Sequence, residues 1–170
     1  GAYMLAYFPH YVLPVYELLR DALDDIGWLS GYGQLRACFV GAGPCPESLG
    51  VISYLGERGW QGLLQAVLLD INVEQWEVCR QICLRLAPKL SDTPLEFEQI
   101  QCDLSIPHAQ CTQHAICAEA LQGCRLLVLQ NFLNDIPLTT LDTTVSNLLE
   151  LARSLPSGAC LAAVDLNYDH

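Results

Sequence analysis

"FVGAGPCPES", residues 39–48, decides the fold. An apolar run ends at Val40, two glycines follow one residue apart, and Pro44, Pro46 and Glu47 come next. Glycine turns the backbone through conformations closed to other residues and leaves no side chain in a ligand's path. Proline suits the first turn of a helix, where its missing N–H has no intrahelical partner to lose, and Glu47 complements the positive end of that helix. The segment therefore reads as a strand, a tight turn and a helix, with a nucleotide-like ligand beside the turn.

Working outward, five apolar runs recur: "RACFVGAG", "LQAVLLDI", "LEFEQIQCDL", "CRLLVLQNFL" and "GACLAAVDLN". Four are nearly continuous, as strands covered on both faces are. The third alternates, with Leu95, Phe97 and Ile100 set among Glu96, Glu98 and Gln99, and predicts an edge strand. Helical stripes lie between the runs: Leu49, Ile52 and Leu55; Trp76, Cys79, Cys83 and Leu86; the stretch opened by Pro107; and Val145, Leu148, Leu149 and Ala152. Strand and helix in alternation imply a parallel α/β sheet with right-handed crossovers. Ahead of it, helical spacing runs from Val12 to Leu23, with Pro9 and Pro14 punctuating its start, and "GWLSGYGQ" (27–34) reads as a flexible joint. The division is a helical arm and linker over 1–34 and a ligand-binding α/β domain over 35–170.

Bulk properties narrow the function. At 170 residues, 52% hydrophobic and 16% charged, the chain can bury one sizeable core. No apolar run is long enough to span a bilayer, and the N-terminus does not read as a signal peptide. A net charge of −11 with eight scattered basic residues repels phosphate backbones, so nucleic acid is a poor partner and a small molecule a better one. Nine cysteines, an odd number set largely in apolar runs, read as buried thiols in a reducing, cytoplasmic setting.

In open α/β sheets ligands bind beyond the carboxyl ends of the strands. Asp70 ends the second run and Asp103 follows the third, so a glycine turn and two carboxylates fall at three successive strand tips. One carboxylate suits a ribose diol and the other an exocyclic adenine amine. With "FVGAGP", "LLDI", "CDL" and "LQNFLND" spread over residues 35–167, the sequence resembles the class I S-adenosylmethionine-dependent methyltransferases. The loop spelling is similar to that of the ribosomal small-subunit methyltransferase-like group and of nicotianamine synthases, which transfer the aminocarboxypropyl group of the same cofactor. The resemblance implies strand order 3-2-1-4-5 with helices on both faces. It places Gly41, Ala42 and Gly43 along the methionine part of S-adenosylmethionine, Asp70 on the ribose, Asp103 with Leu104 on the adenine, and Pro44 and Ile71 as further cofactor contacts. Gln130 and Asn131 would flank the reacting centre, and Asn131, Asn134 and Asp135 are the catalytic candidates. Many members carry an acidic residue two places before the first glycine; here it is Phe39, so the contact to the cofactor's amino group is missing or supplied elsewhere. Members also carry two strands after the fifth. Strands 6 and 7 are therefore expected to be absent from this chain, and the edge of "CLAAVDL" to meet a missing C-terminal part or a second copy.

The competing ligand is a flavin or nicotinamide dinucleotide, whose pyrophosphate needs free N–H donors at the helix start; Pro44 and Pro46 remove two. His108, Cys111, His114 and Cys117 recur every third residue, which on a helix winds them too far apart to close one tetrahedral metal site, and no metal is expected. Tyr3, Tyr7 and Tyr11 share a helix face, either packing the arm onto the sheet or, through Tyr7 and Tyr11, forming a lid over cofactor or substrate. "QNFLNDIP" is either a substrate loop or a polar cap on the next helix. The expected function is an S-adenosylmethionine-dependent transferase, first a methyltransferase of a small molecule. Its alternatives are an aminocarboxypropyl transferase and a non-catalytic binding module of a larger protein.

Overall fold

The computed structural model describes the backbone of residues 2–23 and 26–165 and the side chains of 9–23 and 27–165. Five strands, β1 (Gln34–Val40), β2 (Leu63–Asp70), β3 (Leu95–Gln101), β4 (Leu126–Gln130) and β5 (Cys160–Val164), form one open sheet in the order β3-β2-β1-β4-β5. Every neighbouring pair is parallel, with Val40 of β1 level with Leu69 of β2 and Leu129 of β4. The order reverses at β1, so the carboxyl ends of β1, β2 and β4 bound the crevice where such sheets take ligands. β3 occupies one edge, as its alternation predicts, and its burial follows its sequence except at Glu98, half-buried against Arg36. β5 occupies the other edge and buries only Ala162, where its apolar run predicts a strand covered on both faces. Leu161 is exposed because no further strand or helix among the described residues covers it.

Alternate side chains of the strands feed two cores. Leu35, Ala37 and Phe39 of β1 point to the face covered by α1 (Ala2–Ala22), α2 (Glu47–Glu57) and α3 (Glu77–Leu90). Cys38 and Val40 point to the face covered by α4 (Gln113–Leu121) and α5 (Leu141–Arg153). Phe39 is thus a core residue whose ring has no access to the crevice. All nine cysteines are free. Burial pushes Cys83 up to about 12 and Cys124 to about 11, so both stay protonated thiols and pack as small hydrophobes. Among the described residues no helix is long and apolar enough to cross a membrane.

Two helices differ from the sequence reading. α1 begins at Ala2 and carries Pro9 and Pro14 inside it, where the pattern predicts a start near Val12. Each proline removes a helical hydrogen bond; docking offsets the loss, because Val15 and Leu19 are buried in the α2 core. Tyr16 Oη donates to Glu57 at 2.7 Å, and Tyr54 Oη donates to the Leu23 carbonyl at 2.8 Å. The second difference follows Pro107, where one 3₁₀ turn (His108–Gln110) ends in the extended Cys111 and α4 starts only at Gln113. The His108 and His114 rings stand 5.3 Å apart across that break, off any single helical stripe.

Gly50 lets α1 and α2 cross closely: a Cβ there would lie 2.4 Å from the Val12 carbonyl oxygen, a backbone atom that cannot rotate away. Gly50→Ala would gain helix propensity yet force the helices apart. It is expected to lower stability by about 1–3 kcal/mol, read by denaturant unfolding. A variant as stable as the parent would mean that α1 is not docked in solution.

Candidate functional site

The β1–α2 turn is tied to the end of β2. Gly41 N–H and Ala42 N–H donate to the Leu69 carbonyl at 2.8 and 3.4 Å, and Gly43 N–H donates to Asp70 Oδ2 at 2.9 Å. The other carboxylate oxygen of Asp70 accepts from Asn72 N–H at 2.7 Å. Gly41 (φ 64°) and Gly43 (φ 47°) are left-handed, and so is the buried Cys45 (φ 55°), a conformation seldom adopted with a side chain. Asn131, just past β4, is left-handed as well (φ 52°). Asn131 lines the crevice, while Cys45 lies in the core directly beneath the turn, between the lining residues Pro44 and Pro46.

Arg80 holds the turn from below. Only 1% exposed, it donates to the carbonyls of Val73 and, at 3.5 Å, Gly43, to Gln99 Oε1 at 2.6 Å and to Glu77 Oε2 at 3.2 Å. One guanidinium so links the glycine turn, the 3₁₀ turn Val73–Trp76 and β3, a use of its fan of donors that lysine cannot match. The sequence stripe through Trp76, Cys79, Cys83 and Leu86 concealed it, because a charged residue between apolar ones reads as solvated. Trp76 itself leaves that stripe and lays its indole over Gly43, 3.6 Å from where a Cβ would be.

Two cavities open along the strand tips. The first, about 340 Å³, is lined by Asp103, Leu104, Ser105, Ile136, Pro137 and Thr144 among others. The second, about 300 Å³, lies under α1 and is bounded by Tyr11, Ala42, Pro44, Glu47, Trp76 and Gln130. Gly41, Asp70, Ile71, Phe132, Asp135 and Ile136 border both. Phe132 rests on Gly41 so closely that a Cβ there would sit 2.5 Å from its Cδ2, and its ring marks the boundary between the two spaces.

Most residues singled out from the sequence converge here. Gly41, Ala42, Gly43, Pro44, Asp70, Ile71, Asp103, Leu104, Gln130, Asn131, Asp135 and Tyr11 all line one cavity or both. Asn134 does not: its amide donates to the exposed Asp165 carboxylate at the end of β5, which also accepts from Leu133 N–H. The side chain of Tyr7 lies outside the described residues. Asp103 is engaged locally, accepting from Ser105 N–H at 2.8 Å and Ser105 Oγ at 2.6 Å through one oxygen. Asn131 is not a helix cap, since Thr140 stands at the start of α5.

Three buried polar atoms without hydrogen-bond partners belong to cavity-lining residues: Glu47 Oε2, Gln130 Oε1 and Thr144 Oγ1. Such orphans are rare in native interiors and call for a partner. Glu47 is the sharpest case. Sequence position makes it a solvated carboxylate at a helix N-terminus, but it is only 5% exposed, and burial pushes it from its ordinary 4.5 up to about 8. Desolvation outweighs the favourable helix end. No family model matches the chain, and no curated protein matches it either.

The turn offers little to a phosphate. The N–H groups of Gly41, Ala42, Gly43, Cys45 and Ser48 are already bonded within the protein, and Pro44 and Pro46 have none. Glu47, Asp70 and Asp135 place acidic side chains around the second cavity, and among the described residues no lysine, arginine or histidine lines it.

The Glu47 shift has a measurable consequence. Between about pH 4.5 and 8 the unfolded chain has released a proton that the folded chain retains, so stability falls as pH rises through that window and levels off above it. Glu47→Gln removes this dependence. Its stability is expected to gain on the parent by up to about 1.4 kcal/mol per pH unit across the window. Unfolding free energies for both proteins, from about pH 5 to about pH 9, decide the matter. Parallel curves would mean that Glu47 is ionised in the fold.

Proposed function

We propose that the chain is an S-adenosylmethionine-dependent transferase, foremost a methyltransferase acting on a small molecule. One observation carries this reading: the paired cavities run across the tips of β1, β2 and β4 with Asp70 at their junction, inside a turn whose N–H donors are spent. An adenosine ligand without phosphate suits that lining, and a pyrophosphate does not. Asp103, Leu104, Ile71 and the orphan Thr144 hydroxyl favour the adenine in the first cavity. Asp70 keeps lone pairs for a ribose diol beyond the two N–H bonds it already accepts. Gly41, Ala42, Gly43 and Pro44 leave room for the amino-acid end.

When bound, the cofactor supplies an electrophilic carbon on its sulfonium. The protein's part is then placement and exclusion of water. Tyr11, Trp76 and Phe132 bring aromatic rings to the lining of the second cavity, which suits a sulfonium. Asn131 and Asp135 stand at the crevice to orient an acceptor; Asn134, turned toward Asp165, acts only by bracing that loop. An aminocarboxypropyl transfer would use the same cofactor, and analysis of the nucleoside product, S-adenosylhomocysteine or methylthioadenosine, separates the two.

A second reading, a binding module without catalysis, is favoured by Phe39, whose ring is committed to the core where many methyltransferases hold a carboxylate. Calorimetry with S-adenosylmethionine and S-adenosylhomocysteine distinguishes the two: micromolar binding of both supports the enzyme, and binding of neither supports the module. NAD or FAD binding in place of both would overturn the cofactor assignment.

Asp70 provides a residue-level test. Because it also anchors Gly43 and Asn72, Asp70→Ala is expected to lose about 1.5–3 kcal/mol of cofactor affinity and to melt earlier than the parent. Asp70→Asn keeps one carbonyl oxygen for the turn and should separate the effects, staying folded with weakened binding. Unchanged affinity in a folded Asp70→Asn protein would remove Asp70 from the ligand site.

A further inference from the structure

We propose that Glu47 and Gln130 form a subsite for a primary ammonium group at the start of α2, and that the amino-acid end of the cofactor delivers that group; the delivery rests on the cofactor reading above. Both side chains line the cavity under α1, each is about 5% exposed, and each holds an oxygen with no donor, Glu47 Oε2 and Gln130 Oε1. The amide of Gln130 is oriented by its own bond, because Nε2 donates to the His10 carbonyl at 3.1 Å and leaves the oxygen as an acceptor.

Among the described residues the protein sets no cation here: no lysine, arginine or histidine lines the cavity, and the other donor side chains in the lining, Tyr11, Asn72, Trp76 and Asn131, are neutral. The N–H groups of Gly41, Ala42, Gly43 and Cys45 are bonded internally. Positive charge must therefore come with the ligand: a hydroxyl would satisfy the oxygens, but only a cation stabilises Glu47 as a carboxylate once its proton has left. A primary ammonium carries three N–H donors and one charge, enough for Glu47, Gln130 and one further acceptor. The site also answers for Phe39: the acidic side chain that many methyltransferases place at the end of the first strand is replaced by one at the start of the following helix.

Docking carries a proton balance. Glu47 is held protonated by burial, so the incoming ammonium forms its ion pair as the Glu47 proton leaves to solvent. The titratable groups facing Glu47 are Cys45 in its own turn, Cys83 on α3, and, around the cavity, Tyr11 on α1, Asp70 on β2 and Asp135 after β4. None of them is a cation that could take the role of the ammonium.

Calorimetry on the full chain tests this with S-adenosylhomocysteine and its analogue lacking the α-amino group. The amino form is expected to bind about tenfold to a hundredfold more tightly, the scale of hydrogen bonds to a charged group. Glu47→Gln should abolish that preference, and Gln130→Met should reduce it, in proteins whose melting shows them folded. Equal affinities of the two ligands for the parent would overturn the delivery by the cofactor while leaving the adenosine site standing. If neither ligand binds, the cofactor reading itself fails, and butylammonium then tests the subsite alone. A melting temperature raised by butylammonium in the parent but not in Glu47→Gln supports an ammonium subsite filled from another source, such as an amine acceptor. No difference between the two proteins overturns the subsite.

Discussion

The carboxylate of Asp70 is where the geometry of the crevice begins. Its two oxygens accept the N–H groups of Gly43 and Asn72, and the neighbouring Leu69 carbonyl accepts those of Gly41 and Ala42. Four backbone donors from the loops after β1 and β2 thus converge on two consecutive residues at one strand tip. With those bonds made, the turn cannot drift from the sheet, and the direction of α2 follows from it. Hydrogen bonds to a charged acceptor are among the stronger ones available, and here they hold glycines that would otherwise be free to move.

Arg80 and Glu47 are the two charges this arrangement buries, and they are treated differently. Arg80 spreads its donors over Gly43, Val73, Gln99 and Glu77, so removing it from water is largely compensated. Glu47 has only its own backbone N–H, leaves Oε2 without a partner, and keeps its proton instead. A fold selected for stability alone would place glutamine or an apolar residue there. The buried acid therefore points toward ligand binding, where incoming charge can recover the cost of burial.

The alternation of strands and helices, and the faces of most strands, were legible in the sequence because both follow from local patterns, whereas the order 3-2-1-4-5 was expected from the family resemblance. Continuous apolar runs mark β1, β2 and β4 as covered on both faces, and the alternation of Leu95, Phe97 and Ile100 against glutamates marks β3 as an edge. β5 reads the same way as β1 but forms the other edge and leaves Leu161 exposed, since an apolar run does not say which strand lies outermost. The glycine turn, Asp70 and Asp103 were legible for the same reason, since each sits at the boundary between an apolar run and a polar loop. Boundaries were less so. The extension of α1 back to Ala2 through two prolines depends on a partner helix that local pattern cannot include, and the break at Cys111 interrupts what spacing alone reads as one helix.

By itself, then, the sequence determined the α/β class, the position of the glycine turn and the two acidic strand tips, because periodicity, glycine and proline act over a few residues. Tertiary structure alone decided which side chains lose water. Glu47 and Arg80 are polar residues that composition assigns to the surface, yet both are buried, one under α1 and beside the cavity, the other beneath the turn. Phe132 reaches the junction of the cavities only because β4 lies next to β1, and Asn134 turns away only because β5 brings Asp165 beside it. Burial and long-range pairing are properties of the packed chain, and the electrostatics of the site follow from them.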